Sequence, residues 1–242
     1  MRVIKAELEL VAEVASRMGL DFLDTCFHLC PSSVLHAIGA WGVPYRFYHW
    51  IFGQALERIE ARHLARAAHI YELMVPAEPC HAFLVKEGSR LEMRVVAAHV
   101  LAHSDFFKHN IYFSHLPQDA IYRFALHAGR MACYERMYGR DKVERILDAA
   151  LALSNQVRPG FPKKREEDLL FFLAQHSPVL GGWQRDVILM VREEGIYFWP
   201  QTTTRIINEG WATYWHTHVI RRLPLTEEEA VEFALLQSSV LA

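Results

Sequence analysis

Two histidines, His99 and His103, stand four residues apart in the segment "AAHVLAHSDFFKHN". On a helix this spacing places both imidazoles on one face, about 6 Å apart along the axis, so that one metal ion can bridge them. The same spacing separates the two histidines of the H-E-x-x-H zinc motif, but Val100 stands where that motif has its glutamate. The pair alone is therefore compatible with a metal site or with ordinary core or surface histidines.

A third ligand is expected from the segment "NEGWATYWHTH", residues 208–218. Glu209 lies two turns before His216 on the same helical face, about 10 Å away along the axis, which is too far for both to bind one ion comfortably. We predict Glu209 as the ligand, because two histidines and one glutamate form a common catalytic zinc set that leaves a position open for water. His216 then suits proton transfer or a supporting hydrogen bond. The alternative is that Glu209 caps a helix or pairs with Arg205.

Three residues are the candidate catalytic groups beside these ligands, namely Glu72, Asp105 and His216. Glu72 ends an apolar helical pattern in "HIYELMVPAEPC", and Asp105 closely follows the histidine pair. Any of the three could act as a general base or anchor a ligand. Each, taken alone, could equally be a surface group or form a tertiary hydrogen bond.

These residues leave three functions open. The leading prediction is a metal-dependent hydrolase with a zincin-like site, in which zinc activates a water that attacks an amide bond of a peptide or of peptidoglycan-related material. The second is a non-catalytic regulatory or scaffold protein with a structural metal, which would have closed four-ligand coordination. The third is a carboxylate-rich iron or manganese centre, for which E-x-x-H pairs on two helices are expected. Within the predicted helices, only Glu60 and His63 have that spacing.

Composition excludes several other classes of protein. The chain has 242 residues, 52% of them hydrophobic, and a formal charge of −2, so we expect a packed core and no nucleic-acid partner. The N-terminal residues carry acids at short intervals, unlike a signal peptide, and no uncharged run reaches the roughly 18 residues of a membrane span. No P-loop, Rossmann or G-x-S-x-G motif is present. We expect a cytoplasmic protein without a membrane span.

The four cysteines, at positions 26, 30, 80 and 133, also fit a reducing compartment. Cys26 and Cys30, in "CFHLC", are the only close pair, and a zinc knuckle would need a second such pair. Ordinary buried thiols are the simpler interpretation.

The hydrophobic pattern predicts a mainly α protein with a short β-hairpin or strand element. Helical periodicity covers residues 4–18 and about 54–73, and Ser89 with Glu92 forms a capping box before the helix that carries the histidine pair. "HAFLV" at 81–85 is typical of a strand, and four further segments after residue 168 have helical length. We predict one domain over 1–242, with a zincin-like helix pair and a linker at 155–168 between its N- and C-terminal helical parts.

Six ordered blocks resemble the bacterial SpoVR (stage V sporulation protein R) family. Two of them resemble the family patterns H-x-x-x-H-[NS]-D-F-F-K-x-N and N-E-G-W-A-T-x-W-H. The blocks are "ELELVAEVASRMGLDF", "GVPYRFYHWIFG", "YELMVPAEPC", "AAHVLAHSDFFKHN", "SPVLGGWQRDVILMVREEGIYFWPQ" and "IINEGWATYWH". The two patterns direct attention to His99, His103, Asp105, Lys108, Asn110, Asn208, Glu209 and His216.

The resemblance also implies a physiological setting. Family members are linked to spore cortex formation or to stress physiology, and are often encoded with a serine kinase-like AAA+ protein and a von Willebrand-type protein, which are the expected partners. Typical members are considerably longer than this chain and have no cysteines in the segment that here reads "CFHLCPSSV". The resemblance does not fix a biochemical activity.

Overall fold

The computed structural model describes residues 2–65, 71–157 and 168–241. Within these ranges ten helices and one three-stranded sheet are formed. The helices are α1 (Arg2–Arg17), α2 (Ser32–Trp41), α3 (Trp50–Leu64), α4 (Arg90–His109), α5 (Ala120–Tyr138), α6 (Arg140–Ala152), α7 (Leu169–His176), α8 (Gly182–Thr203), α9 (Arg205–Ile220) and α10 (Glu227–Leu241). The strands are β1 (Thr25–Cys30), β2 (Glu72–Val75) and β3 (Cys80–Val85).

The chain divides into two compact units, each built from separate segments. The first unit takes residues 1–35, 69–115 and 206–242, and the second takes 36–68 and 116–205. Every residue of the predicted metal site falls in the first unit.

The sheet of the first unit has β3 at its centre. β1 pairs with β3 in parallel, and β2 pairs with it antiparallel, so that β2 and β3 form a hairpin. One face of this sheet packs on α4, where Val96 and Val100 contact Ala82 and Leu84. Burial alternates along β3, with Cys80, Ala82 and Leu84 inside, as a half-covered strand requires.

Helix α4 begins where its sequence predicts. The Ser89 side chain accepts from the Glu92 backbone N–H at 3.0 Å, and the Glu92 carboxylate accepts from the Ser89 N–H at 2.7 Å. This capping box satisfies two backbone donors that a helix start would otherwise leave unpaired. Beyond it, Arg94 is 2% exposed and bonds Glu7 of α1 at 2.5 Å, so the apolar packing of α1 on α4 is reinforced by an enclosed ion pair.

The second unit is wholly helical in its described part. α6 and α7 pack on α8, and α5 packs on both α6 and α8. Their shared core includes Val143, Leu147, Val187 and Val191, each at most 2% exposed. The unit therefore has a hydrophobic core of its own.

The mainly α class with a small β element is confirmed, and so is the capping box before the histidine pair. The predicted helix over 54–73 is wrong at its end, since α3 stops at Leu64 and Glu72 begins strand β2. Most of the predicted linker, 158–167, lies outside the described residues, and its flanks Val157 and Asp168 are buried. None of the helices in the described part of the chain combines the length and apolarity that crossing a membrane requires.

Candidate metal centre

Three elements of the first unit bring the predicted ligands together. His99 and His103 project from one face of α4, Glu72 starts β2 beside that helix, and Glu209 lies on α9. Ligand atoms of Glu72, His99 and His103 all lie within 4.8 Å of one another. The cluster thus joins residues that are far apart in sequence.

The Glu209 carboxylate lies between the two imidazoles. Its Oε2 atom is 3.5 Å from His99 Nε2 and 3.9 Å from His103 Nε2. Glu72 Oε1 is 3.7 Å from His99 Nε2. Glu72, His99 and His103 therefore form the compact group of donors, and the predicted ligand Glu209 lies beside the two ring nitrogens. Imidazole nitrogens and carboxylate oxygens are donor types that divalent transition metals accept.

Asn208 fixes the tautomer of His103. Its Oδ1 atom lies 2.9 Å from His103 Nδ1, so it accepts a hydrogen bond from the Nδ1–H. The proton of neutral His103 is thereby placed on Nδ1, and the lone pair of Nε2 faces Glu209. Metal-binding histidines usually have this kind of support from a neighbouring acceptor.

His99 is supported by a longer chain of contacts. Its Nδ1 lies 2.9 Å from Nδ1 of His216, and Nε2 of His216 lies 2.8 Å from the side-chain amide of Gln237 on α10. His216 is 5% exposed and Gln237 is half-buried. His216 therefore links His99 of α4 to Gln237 of α10 by hydrogen bonds.

Gln237 decides which nitrogen of His99 carries the proton. A side-chain amide can present oxygen or nitrogen at the same place, and its neighbours decide between them. In the structure, Nε2 of Gln237 lies 2.8 Å from Nε2 of His216, and its Oε1 lies 3.2 Å from the Thr217 hydroxyl. His216 then accepts from the Gln237 amide and donates its Nδ1–H to Nδ1 of His99, so the proton of neutral His99 lies on Nε2. Turning the Gln237 amide by about 180° reverses this order and directs the Nε2 lone pair of His99 to a metal.

Burial sets the protonation of the enclosed groups. Loss of solvent and the neighbouring His99 lower the pKa of His103 to about 4 and the pKa of His216 to about 4. Loss of solvent also raises the pKa of Glu72, and the nearby Glu209 carboxylate adds to this shift, while His99 opposes it. His103 and His216 are therefore neutral at pH 7, the state in which an imidazole can bind metal.

Two other positions of α4 point away from the cluster. Val100 is 0% exposed and packs with Ala82 and Leu84 of the sheet. Asp105 accepts from the Asp21 backbone N–H at 2.9 Å through one oxygen and from Trp211 Nε1 at 3.0 Å through the other. Asp105 thus connects α4 with the loop after α1 and with α9, apart from the convergent donors.

Some residues of the site were predicted from the sequence, and others were not. Asn208 was indicated only by the family pattern, and Gln237 had no signal because a lone glutamine in "ALLQSS" is typical of an exposed helix. Lys108, also indicated by the pattern, pairs with Asp21, and Asn110 ends α4. These last two residues make contacts that support the fold.

Comparison with known proteins gives one family and one curated relative. A family model described as "SpoVR like protein" matches residues 1–160 and 158–242. The chain is 28% identical over an alignment of 294 residues to "Uncharacterized protein YcgB" of Escherichia coli (strain K12), and the match covers 96% of this chain and 57% of that protein. The chain therefore spans less than two thirds of the length of this relative. No solved structure matches.

Proposed function

The chain belongs to the SpoVR family, and we propose that it is a metal-dependent hydrolase whose ion is held by His99, His103 and Glu209. The observation that carries the proposal is the convergence of two imidazole nitrogens and two carboxylates within a few ångströms. Zinc is the metal we expect, because two histidines and one carboxylate form a common catalytic zinc set.

The donors fit such an ion chemically. The Asn208 contact holds His103 with its Nε2 lone pair toward Glu209, and the buried imidazole is neutral at pH 7. A bound zinc would supply Lewis acidity and lower the pKa of a coordinated water toward about 7. With three protein ligands, one position would remain for that water.

Glu72 supplies the proton-transfer group in this proposal. Its carboxylate is 3.7 Å from His99 Nε2, and its raised pKa makes it a stronger proton acceptor than an ordinary glutamate. The base that H-E-x-x-H would place at Val100 is thus provided by a strand instead of the helix. His216 positions His99, and we assign Asp105 no catalytic role because both of its oxygens accept hydrogen bonds elsewhere.

The substrate we propose is an amide bond in a peptide or in peptidoglycan-related material. The Glu209 side chain is 55% exposed, so the proposed centre is open to solvent on the α9 side. Sporulation or stress physiology, with a serine kinase-like AAA+ protein and a von Willebrand-type protein as partners, is the setting that the family resemblance suggests.

Elemental analysis tests the metal first. Untagged protein prepared without chelator should contain at least one zinc per chain, and His99→Ala and His103→Ala should each contain about one zinc per chain less than the wild type. His218→Ala is the matched control and should keep the metal, because this half-buried histidine of α9 bonds the Tyr214 carbonyl. A metal-free wild type would contradict the proposal, and about two iron or manganese ions per chain would favour a di-metal centre.

Activity is then compared between two carboxamide variants in peptidase and amidase screens. Glu209→Gln should lose the metal and the activity together. Glu72→Gln should keep the metal and lose activity by about 10²–10⁴-fold, the usual contribution of a general base. A fully active Glu72→Gln would show that another group takes the proton.

A further inference from the structure

The face of the first unit's sheet that is turned away from α4 carries two histidines and a cysteine, side chains of the types that bind transition metals. Residues that alternate with the buried positions of β3 point to this face, and they include His81. Cys26 and His28 of β1 lie on the same face, and both are exposed. These three side chains, Cys26, His28 and His81, form what we call the outer-face cluster.

The two imidazoles of this cluster are in direct contact. Nε2 of His28 lies 3.0 Å from Nδ1 of His81. In a tetrahedral zinc site, two nitrogens at about 2.05 Å from the ion are about 3.3 Å apart, close to this separation. The two rings would also have to tilt, so that both lone pairs face an ion beside the line that joins the nitrogens. Without an ion, one ring donates to the other, and either nitrogen can be the donor.

The rings are held in place by their neighbours. His28 stacks on His81 with ring centroids 5.2 Å apart and on Phe83 at 4.9 Å. Burial and the adjacent His28 lower the pKa of His81, so this imidazole is neutral at pH 7. The pair is therefore ordered and has lone pairs available for a metal.

Strand register supplies a third donor. Cys26 is the direct partner of His81 in the parallel β1–β3 ladder, so the two residues lie about 4.8 Å apart across the sheet. His28 follows Cys26 by two residues on the same face of β1, about 7 Å along the strand. The Cys26 thiol is exposed, and its sulfur is not within 4.8 Å of both ring nitrogens in the structure, so a rotation about the Cα–Cβ bond must bring it to them.

We propose that Cys26, His28 and His81 bind a thiophilic divalent metal such as zinc, at a second site separate from the His99–His103 centre. Two imidazoles and one thiolate are ligands that zinc prefers, and three protein ligands leave one position for water. The ion displaces the proton of the Cys26 thiol, which goes to solvent, while each neutral imidazole keeps its one proton on the nitrogen that does not bind. The site does not depend on the proposed hydrolase.

Cys30 provides a matched control for Cys26. It lies on the same strand and face as Cys26, but it pairs with Val85 of β3. Val85 lies four residues beyond His81, about 13 Å along the strand. Its thiol approaches the Leu84 carbonyl at 3.6 Å, and burial raises its pKa. Cys30 should therefore make no contribution to the site.

Titration with Co²⁺ under reducing conditions tests the proposal in the whole chain. Thiolate coordination to Co²⁺ gives a charge-transfer band in the near ultraviolet, and the His99–His103 centre has no cysteine among its proposed ligands. We expect this band in the wild type at about one Co²⁺ per outer-face cluster, and we expect Cys26→Ser to lose it. His28→Ala and His81→Ala should each weaken Co²⁺ binding at this site by at least about tenfold. Cys30→Ser and Cys133→Ser should retain the band.

The outcomes separate this site from the first one. A band that persists in His103→Ala supports a second site even if the first centre loses its metal. Absence of the band in the wild type overturns the proposal, as does a band that Cys30→Ser removes and Cys26→Ser leaves. Because Cys26 and His28 are exposed, their variants should fold like the wild type, and far-ultraviolet circular dichroism checks this.

Discussion

At the scale of single residues, the candidate metal centre depends on where a few protons lie. His103 is held in one tautomer by a single neighbour, Asn208. His99 is held through His216, whose own tautomer depends on Gln237. A glutamine can donate or accept at His216, whereas a carboxylate can only accept. The affinity of the centre for metal should therefore respond to a residue that does not touch the ion.

Replacing Gln237 by glutamate tests this dependence. Gln237→Glu should increase zinc affinity, by about tenfold, because the carboxylate keeps the proton of His216 on Nε2 and so directs the Nε2 lone pair of His99 to the metal. Gln237→Leu removes the donor without adding an acceptor, so it should give an affinity between those of the wild type and Gln237→Glu. Competition with a chromophoric chelator measures all three. Ser238→Glu adds the same charge at the next position and is the control; an equal gain in this variant would show that charge alone is responsible.

At the scale of elements, α4 has the clearest local signals. Its start is predicted by Ser89 and Glu92, because a capping box is formed by residues only three apart. Strand β2 has no such signal. Its sequence continues a run of good helix formers, and it becomes a strand because it pairs with β3, a tertiary contact that outweighs local propensity.

This difference explains which parts of the site the sequence could reveal. His99 and His103 are paired by helical spacing, which is local. Glu72 could be recognised as a candidate, but its place beside His99 follows from the sheet. Gln237 reaches His216 through the packing of α10, for which the sequence has no pattern.

Removing the cap should destabilise the helix that carries both histidines. Ser89→Ala should lower the free energy of unfolding by about 1 kcal/mol, because the backbone N–H of Glu92 loses its acceptor and Glu232 loses a hydrogen-bond donor. Urea denaturation measures the change. Ser238→Ala, at an exposed site on α10, should stay within about 0.5 kcal/mol of wild type. An equal loss in both variants would argue against the cap.

At the scale of the whole molecule, buried histidines differ in charge according to their neighbours. In the first unit, His103 and His216 are buried and neutral. In the second, His127 is 7% exposed and lies 3.3 Å from a Glu193 oxygen and 3.6 Å from a Glu194 oxygen. Burial opposes a charge on His127, but the two carboxylates outweigh it and raise its pKa to about 9.

The stability of the second unit should therefore fall in mildly alkaline solution. The folded pKa of His127 is above its unfolded value of about 6.5, so its contribution is complete below pH 6.5 and is lost as pH rises through about 9. Between pH 6.5 and 9 we expect the free energy of unfolding to fall by on the order of 2 kcal/mol. This is less than the full pKa shift of His127 would give, because Glu193 is partly exposed and solvent screens its charge.

Unfolding free energies measured across this range check the effect. His127→Gln should show little change between pH 6.5 and 9 where the wild type declines. His176→Gln, at an exposed histidine of α7 in the same unit, should decline like the wild type. A wild type with constant stability over this range would contradict the assignment of a charged His127.

The segmented construction of the first unit has a consequence for biosynthesis. A ribosome makes His99 before any of the residues 116–205 of the second unit, and His216 follows His99 by 117 residues. While the second unit is being made, a nascent chain therefore carries the histidine pair without Glu209 or the supporting Asn208. An ion at the proposed centre would be retained tightly only after these residues have emerged, so metal loading would follow synthesis of the second unit.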